Sequence, residues 1–130
     1  MDDKLAMQFY EQKQYDKAAS YFDNLYDKNP DAYFTYYYKC LVEIKEYTKA
    51  EKIIKKQIKR NETAFQLYVQ LGQLYKLQNN SDKEKEQYNK AIKELIPIQS
   101  YVFVLAHAFE DAELYDYALD TYKKGRKETR

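Results

Sequence analysis

Apolar residues recur along the chain at intervals of three and four, broken by short polar links. The segment Leu5, Ala6 and Phe9 is followed by Ala18, Phe22 and Leu25, and the same grouping returns further on. This period belongs to helices that each bury one stripe. It predicts first helices near 2–13, 31–44, 63–77 and 98–111, with second helices near 16–28, 48–60, 81–94 and 115–127. The fold class that follows is all-α.

The grouping is a repeat in register. Leu71-Gly72-Gln73-Leu74-Tyr75 is followed by Tyr88 and Ala91. A step of 34 residues finds Leu105-Ala106, Phe109, Ala118, Tyr122 and Gly125. A step of 34 back finds Tyr37-Tyr38, Leu41, Ala50, Ile54 and Gln57, and a further step of 32 reaches the first group and a terminating Pro30. Tyr15, Tyr47 and Tyr115 also recur at one position, which Ser81 takes in the third repeat. This pattern resembles the tetratricopeptide signature, and its four matches in series cover almost the whole chain. The resemblance implies a right-handed α-α superhelix of four hairpins. It would be a single array over 1–130, with repeats near 1–30, 31–62, 63–97 and 98–130.

Close helix packing explains the spacing. Ala6, Gly72 and Ala106 fall where a first helix meets its partner, and Ala18, Ala50 and Ala118 fall opposite, so axes can approach to about 8–10 Å. Phe9, Leu41, Tyr75 and Phe109 are expected to fill the space between neighbouring hairpins. Gly72 and Gly125 each cost roughly 1 kcal/mol of helix propensity, which close approach can offset. Two departures stand out: Tyr38 and Glu84 occupy positions that are small elsewhere. Tyr38 should splay the second hairpin or lie along the groove between helices. The 32-residue step should shorten the turn after Pro30 and change the pitch there.

Composition agrees with helices joined by short links, since the chain has only two Gly and two Pro. Sixteen Tyr and no Trp mean that phenol rings fill most of the interior. Tyr can bury its ring and keep its hydroxyl wet, which suits a thin two-layer protein. A net charge of +1 supplies no field toward nucleic acid or an anionic membrane. No apolar run nears the roughly 18 residues of a membrane span. The single Cys40 excludes an internal disulfide and a cysteine zinc cage. Asp2, Asp3 and Lys4 directly after Met1 exclude a signal peptide within the chain. This start fits a cytosolic protein or the mature start of an exported bacterial one, with the periplasm or envelope slightly favoured.

The resemblance also implies that first helices line a concave groove. Its lining would be Met7, Tyr10 and Glu11, then Thr35, Tyr36, Lys39 and Glu43, then Gln66, Val69, Gln70 and Gln73, then Phe103, His107, Glu110 and Asp111. Such a mixed surface suits a peptide held by side-chain hydrogen bonds and a few aromatic anchors. Relatives that clamp a chaperone's C-terminal carboxylate use Lys, Arg and Asn at positions matched here by Asp3, Met7, Thr35, Tyr36, Gln66 and Gln70. None is basic and none is Asn, so that clamp is absent.

Lys49, Lys52, Lys55, Lys56, Lys59 and Arg60 load one outer helix, with Glu51 the only acid among them. No aromatic interleaves them as a base-stacking platform requires, so a solvated face is the simpler reading and nucleic acid is not expected. The acids Glu110, Asp111, Glu113, Asp116 and Asp120 and the bases Lys123, Lys124, Arg126, Lys127 and Arg130 should pair largely within the last hairpin.

Nothing in the spacing matches a nucleophile elbow, phosphate loop or zinc motif. His107 and Asp111 lie one turn apart, but two ligands make no metal site. Cys40 reads as a small buried apolar group. No cofactor is expected. The expectation is a non-catalytic scaffold that binds a peptide or partner subunit; the alternative is a structural spacer or oligomerisation segment of a larger envelope protein. Arrays of this family usually end in a polar capping helix, and here the chain stops after the fourth hairpin. Tyr115, Leu119 and Tyr122 should then stay partly exposed, as in the N-terminal array of a larger bacterial protein or a self-associating end.

Overall fold

In the computed structural model, which describes residues 2–128, four turns of the same construction set the register. Lys13, Lys45, Asn79 and Glu113 all adopt a left-handed backbone with φ near +60°. From Lys13 to Lys45, to Asn79, to Glu113 the steps are 32, 34 and 34 residues, the spacing of the repeat. Each closes a helix in the same way. The amide after the left-handed residue donates to the carbonyl five residues back: Gln14 to Phe9 (2.9 Å), Glu46 to Leu41 (2.8 Å), Asn80 to Tyr75 (3.0 Å) and Leu114 to Phe109 (2.8 Å). The left-handed residue's own amide donates three back, as from Lys13 to Tyr10 (3.0 Å). These are Schellman closures, which satisfy carbonyls that the helix end would otherwise leave open.

Eight helices are found among the described residues: α1 (Asp2–Glu11), α2 (Tyr15–Lys28), α3 (Pro30–Glu43), α4 (Tyr47–Arg60), α5 (Gln66–Leu77), α6 (Ser81–Glu94), α7 (Gln99–Asp111) and α8 (Tyr115–Glu128). They follow one another as hairpins. The recurring position of Tyr15, Tyr47, Ser81 and Tyr115 is the first residue of every second helix. Pro30 opens α3, where its missing amide costs nothing, and Asn29 alone joins α2 to it, capping Ala32 N through its side chain at 3.3 Å. The shortened turn therefore lies before Pro30, not after it. α5 begins at Gln66 rather than near 63, because Ala64 and Phe65 form a separate turn in which Leu67 N donates to Ala64 O at 3.0 Å.

The chain divides into two compact units, residues 1–57 and 58–130. In the first, Ala6, Ala18, Phe22, Cys40, Ala50 and Ile54 are fully buried. Gln57, also buried, donates to Asp31 at 3.1 Å and ties α4 to α3. Leu41 is buried as expected, whereas Phe9 is only half-buried, and its ring stacks at 5.7 Å on Tyr21 of its own hairpin. Tyr38 is half-buried and lies along its own helix against Phe34, ring centroids 5.4 Å apart.

In the second unit one core holds Phe65, Val69, Tyr88, Ala91, Leu95, Val102, Leu105, Phe109 and Ala118. Full burial of each large side chain contributes about 1.5–3 kcal/mol. Glu84, at the position that is small elsewhere, is half-buried because its carboxylate accepts from the Tyr88 hydroxyl at 2.8 Å. Gln73 donates to the same hydroxyl. Lys124 reaches from α8 to the carbonyls of Ile92 (2.7 Å) and Lys93 (3.0 Å), where the C-terminal dipole of α6 favours a cation. Lys124 thus bonds to α6 rather than to an acid of its own hairpin, and Glu110 accepts from the Tyr122 hydroxyl at 2.7 Å. Arg130, assigned to the same pairing, lies outside the described residues.

Candidate functional site

On the first unit, two of the residues expected to meet a ligand, Tyr10 and Tyr36, are assembled around one buried ring. Phe22 of α2 is fully buried, and Tyr36 of α3 stacks on it at 5.8 Å and 11°. Tyr10 of α1 meets Tyr36 edge to face at 5.2 Å and 86°, and Phe22 at 6.2 Å. Edge-to-face and offset pairs of this kind add about 0.5–1.5 kcal/mol beyond burial. Tyr10 and Tyr36 are both half-buried, so each keeps part of its ring at the surface. Burial, ahead of nearby charges, raises the Tyr10 phenol above its ordinary pKa, so it is a neutral donor at physiological pH. Met7 is half-buried beside this cluster in sequence, and Glu11, Thr35, Lys39 and Glu43 are exposed.

On the second unit the candidates fall into three groups. Gln70 and His107 are exposed and Gln66 is half-buried. Gln73 and Glu110, also half-buried, are bonded to Tyr88 and Tyr122 of the partner helices. Phe103 stacks on His107 at 6.4 Å and meets Tyr122 at 6.4 Å. Val69, read from the sequence as lining the groove, is 3% exposed and belongs to the core instead. Asp111 is exposed.

Sequence reasoning missed Val104, Ile96 and Ile98, which are large and exposed. For Val104 the signal was the unbroken run Val102-Phe103-Val104-Leu105, too apolar for a helix with one solvated face. Tyr115 and Leu119 are exposed as expected, and Tyr122 is half-buried.

The remaining chemistry is sparse. Cys40 is fully buried, and burial pushes its thiol up to about 12. Among the described residues no group of three or more His, Cys, Asp and Glu is placed to hold a metal ion. No helix among them is long and apolar enough to cross a membrane. The lysines of α4 point to solvent, with Lys55 paired to Glu51 at 2.8 Å one turn away.

Solved structures share this arrangement of helices. The crystal structure of MamA matches 95% of this chain and 74% of its own, with a TM-score of 0.59 at 20% identity. MamA 41-end from Desulfovibrio magneticus RS-1 matches 95% and 71%, with a TM-score of 0.57 at 17% identity. The likeness is one of fold. No protein-family model and no curated protein matches the chain. The fold is therefore a helical-repeat array like that of MamA, and its surface has to be read from its own residues.

Proposed function

We propose that the chain is a tetratricopeptide-type array, one domain over residues 1–130, acting as a non-catalytic scaffold for protein partners. Its first helices would hold a peptide or a segment of a partner subunit. The observation that carries this reading is the Tyr10–Tyr36 pair, two half-exposed phenols joining α1 to α3 over the buried Phe22. Rigid aromatics with polar tips give large contact area at low entropy cost and anchor interfaces. On the second unit, Gln66, Gln70 and His107 offer amide and imidazole groups that pair with peptide backbone. Gln73 and Glu110 each keep one oxygen beyond the phenol bond, so they can join such a network.

Selection of a displayed random-peptide library against the chain tests this. Enriched peptides should lose at least about tenfold in affinity to Tyr36→Ser and to Tyr10→Ser, with helicity unchanged. Enriched peptides indifferent to both tyrosines and to Gln70→Ala would overturn the reading.

A second reading, a spacer or oligomerisation segment, rests on Tyr115 and Leu119, which are 63% and 50% exposed on α8. It requires a concentration-dependent rise in sedimentation mass that Leu119→Glu abolishes. A monomer mass at high concentration removes it.

A further inference from the structure

Between α2 and the hairpin of α3 and α4 lies a cavity of about 330 Å³. Asp16, Ala19 and Asp23 reach it from one face of α2, Tyr37 and Leu41 from α3, and Glu46 and Lys49 from the start of α4. Two repeats on, the second unit has the same junction, and there a ring fills it. Lys49 corresponds to Tyr117, Leu41 to Phe109, Phe22 to Tyr88 and Glu46 to Leu114. Tyr117 stacks on Phe109 at 5.4 Å and meets Tyr88 at 5.1 Å, and Leu114 packs against the same core. In the first unit Lys49 is exposed and Leu41 is smaller than Phe109, so space stays open above a floor of Ala19, Tyr37 and Leu41, all buried.

The charges around this cavity do not balance, since three carboxylates, of Asp16, Asp23 and Glu46, line it with one ammonium, of Lys49. Among the described residues Asp16, Glu46 and Lys49 form no ion pair. Asp23 accepts from the Tyr37 hydroxyl at 2.8 Å, and a carboxylate has about four acceptor positions, so it can accept further donors. The acids are not grouped to hold a metal ion. The cation that suits an apolar floor and the place of a ring is flat and weakly hydrated. Guanidinium is both, and its fork matches a carboxylate with two parallel bonds. We infer that the cavity takes a guanidinium group on an apolar stem, the arginine side chain of a partner polypeptide, with its donors on Asp16 and Asp23. Pockets for free small molecules enclose most of their ligand, whereas the charged rim here is exposed, which suits a side chain held from outside. The site goes beyond the peptide-binding face proposed above, because neither Tyr10 nor Tyr36 lines it.

The probe is a capped tripeptide, acetyl-Gly-Arg-Gly-amide, titrated into the isotope-labelled full chain while amide chemical shifts are followed. Saturable shifts are expected, concentrated at Ala19, Ser20 and Leu41. The citrulline counterpart has the same shape without the charge and should bind at least about tenfold more weakly, the scale of a charge-assisted hydrogen bond. Asp16→Asn combined with Asp23→Asn should weaken the arginine peptide by a similar factor. Both positions are exposed and Asn keeps an acceptor for the Tyr37 hydroxyl, so a far-UV spectrum like the parent's is expected. The decisive variant is Lys49→Tyr, which restores the ring of the second unit. It removes a positive charge, so attraction to a merely acidic surface would rise, yet filling the cavity should abolish binding. Lys49→Ala removes the same charge and leaves the cavity open, so it should tighten binding a few-fold, by an amount that shrinks with added salt.

Three results would overturn the inference. One is no saturable shift, or equal binding of the citrulline peptide. Another is a Lys49→Tyr variant that binds as tightly as Lys49→Ala, which would reduce the site to a charged surface. The third is n-propylguanidine saturating the same shifts at a concentration about tenfold lower than the tripeptide, which would give the cavity to a free small cation. Tyr36→Ser should leave the tripeptide titration unchanged, so this inference and the peptide-binding face fail separately.

Discussion

The ring of Tyr88 occupies the volume that any side chain at Gly72 would need. A Cβ at Gly72 would lie 2.8 Å from Tyr88 Cδ1, 2.9 Å from Cζ and nearer still to Cε1. Tyr88 cannot easily give way, being 1% exposed, bonded at its hydroxyl to Gln73 and Glu84, and flanked by Phe109 and Tyr117. Gly72 thus serves an aromatic ring rather than only a close approach of two helix axes.

Gly72→Ala should therefore destabilise the chain by about 1–3 kcal/mol through overpacking, despite a helix-propensity gain of about 1 kcal/mol. Urea unfolding followed by circular dichroism measures it. Tyr88→Leu alone also costs stability, but in the double variant the two costs should be clearly less than additive, since the shorter side chain makes room. A Gly72→Ala variant more stable than the parent would show that the ring is free to move.

Three phenols make the fold sensitive to alkali. Burial is the main cause of a raised pKa at Tyr37, Tyr38 and Tyr88. At Tyr37 the hydroxyl also donates to Asp23 at 2.8 Å, and at Tyr88 the bond to Glu84 adds to the rise while Gln73 opposes it. A phenol harder to ionise when folded than when unfolded stabilises the fold below its unfolded pKa near 10. That contribution disappears as pH climbs from there toward the folded value. Urea midpoints should be level from about pH 7 to 9 and fall above about pH 10. Phenolate absorbance should show a subset of tyrosines that ionise only as the helices melt. A midpoint unchanged at about pH 11 would contradict this.

Cys40 gives an independent readout of the first unit. With its thiol buried and pushed up to about 12, it carries almost no thiolate at neutral pH. A disulfide-exchange reagent should leave it untouched in the native protein at about pH 8 and modify it fully in urea. Rapid native modification would show that the unit opens on the timescale of the assay.

The four hairpins were legible because small residues and large apolar ones recur at the same spacing. Helix ends fell within three residues of expectation. The widest miss, at α5, arose because Phe65 is apolar and extends the helical pattern while its backbone belongs to a turn. The binding face was less legible for a geometric reason. Val69 and Gln70 are adjacent on α5, about 100° apart around the helix, and only the next hairpin's position decides which is covered. The role of Glu84 was hidden as well, since its tolerance at a small-residue position depends on the hydroxyl of Tyr88, one turn away.

The four left-handed turn residues offer a graded test of backbone strain. A non-glycine residue at φ near +60° suffers contact between its Cβ and the following carbonyl, worth roughly 1–2 kcal/mol. Asn is relieved of part of this by its short polar side chain, whereas Lys and Glu are not. Glycine removes the contact but loses more entropy on folding, so the net gain is smaller than the strain. Lys45→Gly and Glu113→Gly should each stabilise the chain by about 0.5–1 kcal/mol, and Asn79→Gly by clearly less. Urea unfolding of the three variants checks the order. An equal gain at Asn79 would show that relief of left-handed strain is not its source.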